Sequence, residues 1–203
     1  MAIRKATKEA IAFYHDQLYP LQDEVLNLLG SHRFYLTGGT CLSRFYYHHR
    51  FSDDLDFFYN GNKYPAEGFE NETAKVINQL GTKFKADFLV DTESFKRLFF
   101  SKENVKLQVD FVLEHYPVFG TQKKTGNFFI DSKENVAINK LTTIYDRKTT
   151  KDFVDLFFLL RDLDLDVLLP LTAQKIVPLD YESVVIALGN GNLEGEVFME
   201  KPL

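Results

Sequence analysis

Residues 36–58 read LTGGTCLSRFYYHHRFSDDLDFF, and the order of residue types in this stretch decides the fold. An apolar strand runs into two glycines, the glycines open a helix, and an Asp-x-Asp leads a second apolar strand. With the side-chain period of two in a strand, Ser52, Asp54 and Asp56 share one face, while Phe51, Asp53, Leu55 and Phe57 share the other. Two carboxylates side by side on a rigid strand repel each other unless a cation sits between them. Mg²⁺, or Mn²⁺ in its place, suits hard oxygen ligands, retains waters and takes phosphate oxygens as further ligands. A glycine-rich strand-to-helix turn offers backbone N–H groups to a phosphate. The stretch therefore points to a metal and a nucleoside triphosphate (NTP). The plainer alternatives are a charged, solvent-facing edge strand and glycines that only supply a positive φ. Phe57 and Phe58 carry the strand onward as apolar sequence, which weighs against a wet edge.

Working outward, residues 5–29 keep helical spacing, with Pro20 expected to separate two helices and Gly30 to stop the second. Residues 34–36 read as a strand, 40–48 as the helix after the glycines, 53–59 as the second strand and 67–80 as a helix. Strand-like runs follow at 84–90, 94–101 and 104–113. In the last of these Val105, Leu107, Val109 and Phe111 alternate with Lys106, Gln108 and Asp110. From about residue 131 the pattern is helical to near the end, with Asp131/Glu134 and Thr149/Asp152 read as helix-capping pairs. The expected fold class is α+β, a mixed sheet flanked by helices and followed by a helical C-terminal part. We divide the chain into a core over 1–125 and a helical part over 126–203 that packs on the core and closes the cleft.

The chain has 203 residues, 45% of them hydrophobic, which suffices for a self-sufficient core. Phe occurs 20 times and Trp not at all, which we read as core filling and not as a base-stacking platform. A net charge of −5 argues against non-specific coating of nucleic acid but leaves room for a local basic patch. Lys133, Lys140, Arg147, Lys148 and Lys151 form such a cluster. No stretch has the length of a membrane-spanning helix, no signal-peptide core leads the chain, and a single cysteine, Cys41, excludes an internal disulfide. A cytoplasmic location is expected.

Gly38, Gly39 and Thr40, then His49, Arg50, Ser52, Asp54, Leu55 and Asp56, together with the block KLTTIYDRKTTKDFVDL at 140–156, resemble the AbiEii/AbiGii-type nucleotidyltransferase toxins of the DNA polymerase β-like superfamily. The resemblance implies a polymerase β-like core in which Asp54 and Asp56 bind the metal and Asp110, on a neighbouring strand, is a third ligand and acceptor for the attacking hydroxyl's proton. It implies a phosphate role for Gly38, Gly39 and Thr40, and places Lys140 on the triphosphate. Asp152 would wall the active site as a catalytic or substrate-positioning group. It further implies a toxin with a cognate antitoxin and an RNA acceptor such as tRNA.

The residues themselves leave other readings open. Alternation alone accounts for Asp110, Arg50 can contact a nucleotide or pair with a surface acid, and Lys140 can be a snorkelling lysine. Lys140 and Arg147, seven positions apart, would project from one side of a helix beside Ala137, Leu141 and Ile144. Ser52 and Arg50 frame the carboxylates, and adjacent His48 and His49 point apart, which disfavours a two-histidine site. Two rivals remain at this stage: an Asp-x-Asp glycosyltransferase, and a non-catalytic nucleotide-binding module.

Overall fold

A computed structural model of the chain describes residues 2–30, 32–147, 149–175, 178–189 and 194–200. Nine strands, eight α-helices and two π-helical segments appear among the described residues. Seven strands form one mixed sheet in the order β4 (Lys85–Asp91), β5 (Phe95–Lys102), β6 (Val105–Glu114), β3 (Leu55–Asn60), β2 (Phe34–Thr37), β8 (Phe128–Ile130), β7 (Lys123–Thr125). β3 is antiparallel to β2 and parallel to β6, while β5 runs antiparallel to β6.

One face of the sheet is apolar because the period-two pattern presents Leu55, Phe57, Tyr59, Leu107, Val109 and Phe111 to it, and α2 (Tyr19–Leu29) and α4 (Gly68–Gly81) cover that face. A second core joins α5 (Lys133–Asp146), α6 (Thr150–Asp162), α7 (Leu165–Thr172) and α8 (Tyr181–Gly189), and Leu42 of α3 (Gly38–Leu42) plugs into it. Ala137, Leu141 and Ile144 are buried there, as their helical spacing predicts.

Several local expectations change. Pro20 does not separate two helices. A π-helical stretch over Tyr14–Leu18 links α1 (Lys8–Phe13) to α2, with Pro20 in the first turn of α2, where a missing N–H is tolerated. Asp131 does not cap α5; Ser132 does, its Oγ accepting from the Asn135 N–H at 3.0 Å. Arg147 lies past the last turn of α5 with extended backbone, so it leaves the helix that carries Lys140. The C-terminal part is not helical to its end. β9 (Glu196–Met199) returns to pair in parallel with β1 (Ala2–Lys5), and the Phe51 N–H donates to the Phe198 carbonyl at 3.0 Å. β8 lies in the core sheet, past the residue 125 at which the sequence reading divides the chain.

Candidate active site

Strand register builds the floor of the site. Thr37 of β2 is opposite Asp56 of β3, Asp56 is opposite Asp110 of β6, and Asp110 is opposite Arg97 of β5. These four residues form one row across the sheet, and the following row on the same face holds Phe58 opposite Val112. Both rows line a cavity of about 220 Å³. Its remaining wall comes from Gly38 and Gly39, from Asp54 just before β3, from Val136, Asn139, Lys140 and Thr143 of α5, and from Arg50, Arg147 and Lys151.

The glycine turn must be glycine. Gly38 has φ +70°, and a Cβ there would collide with the Asp56 carboxylate. A Cβ on Gly39 would collide with the Arg50 guanidinium. Thr40 and Ser52 stand behind the wall, both buried, with the Thr40 hydroxyl donating to the Asp54 carbonyl and sharing a hydrogen bond with Ser52 Oγ at 2.9 Å. They fasten the glycine turn to the segment that carries Asp54.

Asp54, Asp56 and Asp110 all reach the cavity, but in different ways. Burial, then the charges of Asp54 and Asp110, push the Asp56 carboxyl up to about 7, against Lys140 and Lys151. Asp110 gives both oxygens to Arg97, at 2.8 and 2.6 Å, a bidentate pair that the sequence reading missed. Among the described residues no group of three or more His, Cys, Asp or Glu side chains is arranged to hold a metal ion. Asp110 thus faces the cavity opposite Asp56 with both oxygens engaged by Arg97, while Asp54 and Asp56 stand beside and on β3.

Behind the cationic wall lies a buried charge cluster. Asp155 is fully buried and accepts from Arg50 Nε and Nη2 at 2.7 and 2.8 Å, and from His49 at 2.7 Å. A carboxylate only accepts, so His49 carries its proton on Nε2. Lys140 Nζ bridges Asp155 and Asp152, 2.7 Å from each. Asp152 also takes Arg147 Nε at 3.1 Å and the Thr149 hydroxyl. Burial would push the Asp155 carboxyl up, but Arg50 and Lys140 outweigh it and hold the group well below the usual carboxylate range. Asp152, also buried, is held below the usual range by Lys140, Thr149 and Arg147 against the effect of burial. The cluster fixes Arg50 and Lys140 at the cavity edge. Lys151 is 43% exposed and stands 3.9 Å from Asp54. Lys148, of the same basic segment, lies outside the described residues.

A glycine turn beside an acidic pair, facing a wall of lysine and arginine, is a recurrent arrangement for binding a metal-bound polyphosphate. Residues 21–179 match the family model described as "Nucleotidyl transferase AbiEii toxin, Type IV TA system". The chain belongs to this nucleotidyltransferase family. An uncharacterized protein of Aquifex aeolicus is 31% identical over 170 residues, covering 82% of this chain and 77% of that protein. Among solved structures, JHP933 from Helicobacter pylori matches with TM-score 0.58 at 22% identity, covering 92% of this chain and 91% of that one. MenT4, a nucleotidyltransferase toxin from Mycobacterium tuberculosis, matches with TM-score 0.59 at 18% identity, covering 89% and 77%. The Megavirus polyadenylate synthase shares the fold over 76% of this chain and 34% of its own, with TM-score 0.51 at 15% identity. Family membership makes the AbiEii-type chain an enzyme of nucleotidyl transfer and removes both the glycosyltransferase and the non-catalytic module. Among the described residues no helix is long and apolar enough to cross a membrane.

Proposed function

We propose that this AbiEii-type chain transfers a nucleoside monophosphate from an NTP to an acceptor hydroxyl in a Mg²⁺-dependent (or Mn²⁺-dependent) reaction. The supporting observation is the pairing of Asp54 and Asp56 beside a glycine turn whose side-chain space is filled by Asp56 itself. Burial first, and then the negative charges of Asp54 and Asp110, raise the Asp56 carboxyl despite Lys140 and Lys151, and a divalent cation would offset that crowding. Asp54 and Asp56 would hold it, and when bound it would neutralise phosphate oxygens and align the α-phosphate for in-line attack.

The chain's own residues supply the rest. The turn at Gly38 and Gly39 brings backbone N–H groups to the phosphates. Lys151 and Arg147 add charge where pyrophosphate leaves, and Lys140 does so from its seat between Asp152 and Asp155. Asp110, opposite Asp56 and tied to Arg97, would be the third carboxylate at the metal and the acceptor for the attacking hydroxyl's proton. α5 and the start of α6 close the cleft over the sheet. The acceptor we favour is an RNA such as tRNA, since the exposed Arg147 and Lys151 at the cavity edge suit a phosphate backbone. The family's type IV system supports a cognate antitoxin as partner. Incubation of the protein with each radiolabelled NTP and bulk tRNA tests this: label should appear in RNA for at least one NTP and only with a divalent cation. No transfer with any of the four refutes it.

A further inference from the structure

We infer that Asn139 is a specificity-determining residue, a fixed hydrogen-bond donor facing the nucleoside half of the substrate. The inference rests on the NTP reading of the cavity. Asn139 is half-buried on α5 and lines the cavity. Its Oδ1 accepts from Lys175 Nζ at 2.6 Å. A lysine ammonium has only donors, so the amide cannot be flipped, and its NH₂ group is turned away from Lys175. Lys175 is buried and paired with the buried Glu114 at 3.0 Å. An ion pair sealed from water thus holds a single side-chain amide in one orientation.

The position follows from the strand. Asp110, Val112 and Glu114 succeed one another on one face of β6, so Glu114 lies roughly 13 Å beyond Asp110. Asn139, joined to Glu114 through Lys175, therefore stands toward the end of the cavity away from the carboxylate pair. Between the two ends the floor is apolar, made by Phe58 and Val112. A triphosphate seated at the glycine turn and the acidic pair would lay its sugar and base over these apolar residues, toward the amide. The chemistry recognised is an acceptor oxygen of the nucleoside, on the ribose or on the base. Lys175 is the positioning residue for that donor.

Calorimetric titration with α,β-methylene analogues of the four NTPs, their 2′-deoxy forms and inorganic tripolyphosphate, all with Mg²⁺, tests the inference on the wild type and on Asn139→Ala. Asn139→Leu, which keeps the bulk, serves where Asn139→Ala does not fold. The substitution should weaken the preferred nucleotide about fivefold, the worth of one neutral hydrogen bond, and leave tripolyphosphate unchanged. A ribose contact predicts that the substitution erases a ribo-over-deoxy preference; a base contact predicts that it erases a preference among bases. Equal effects on nucleotide and tripolyphosphate, or no effect on either, overturn the inference while the NTP reading stands. A wild type that binds neither nucleotide nor tripolyphosphate overturns both.

Discussion

Arg50 donates Nε and Nη2 side by side to the two oxygens of Asp155, at 2.7 and 2.8 Å, in a region closed to water. The pair joins the segment that leads into β3 to α6 and so ties the carboxylate-bearing half of the site to the cationic half. Removing one partner of a buried, hydrogen-bonded ion pair strands the other's charge. Asp155→Ala should therefore destabilise the fold by about 3–5 kcal/mol, since Arg50 and His49 lose their carboxylate and Lys140 keeps only Asp152. Urea unfolding followed by circular dichroism measures this. A loss below about 1 kcal/mol would mean that the cluster is not closed in solution.

Asp56→Asn separates chemistry from stability. Transfer should fall by at least about a hundredfold, as expected when a metal-binding charge is removed. The pH dependence of folding should change as well. An acid whose folded pKa is raised binds its proton more tightly when folded. The stability this contributes is present below the ordinary pKa and is lost as pH rises from about 3.8 to about 7. In a chelator, the wild type should thus lose stability across that window relative to Asp56→Asn, and Mg²⁺ at pH 8 should restore it. Parallel pH profiles of the two proteins in chelator would contradict the raised carboxyl.

Lys151 offers the opposite combination. It is substantially exposed, so Lys151→Ala should leave the unfolding midpoint within about 0.5 kcal/mol of wild type. Loss of a cation near the phosphates should raise KM for the NTP about three- to tenfold, with the effect shrinking at high salt. Steady-state kinetics at two ionic strengths give the answer, and an unchanged KM would remove Lys151 from the phosphate wall.

Gly38→Ala places a Cβ at a positive φ and against the Asp56 carboxylate. It should cost about 1–3 kcal/mol and reduce activity more than that stability loss explains, because Asp56 must move to make room. A variant with wild-type activity would show that Asp56 does not need its present position.

The centre of this site was legible in the sequence because its signals are local. The glycine turn and Asp54–Asp56 fall within a single short stretch, and the alternation of β6 put Asp110 on a strand that does pair with β3. Arg97 was not legible, because its partnership with Asp110 depends on the register between β5 and β6, which no local pattern announces. Asp155 was not legible either, because its partners His49, Arg50 and Lys140 lie on other elements and meet it only in the fold. β1 and β9 are four residues each and stabilise one another from opposite ends of the chain, so neither reads as a strand alone. The three-residue β8 is likewise defined by its partner, β2, and not by its own length.

The proposed transfer requires a divalent cation held by Asp54 and Asp56. Crystals grown with Mn²⁺ and an α,β-methylene NTP, with diffraction recorded at the manganese absorption edge, test it directly. We predict an anomalous peak bridging those two carboxylates and the nucleotide's phosphates, absent from Asp56→Asn. A nucleotide bound in the cavity with no peak at these residues, or a peak that persists unchanged in Asp56→Asn, would contradict it.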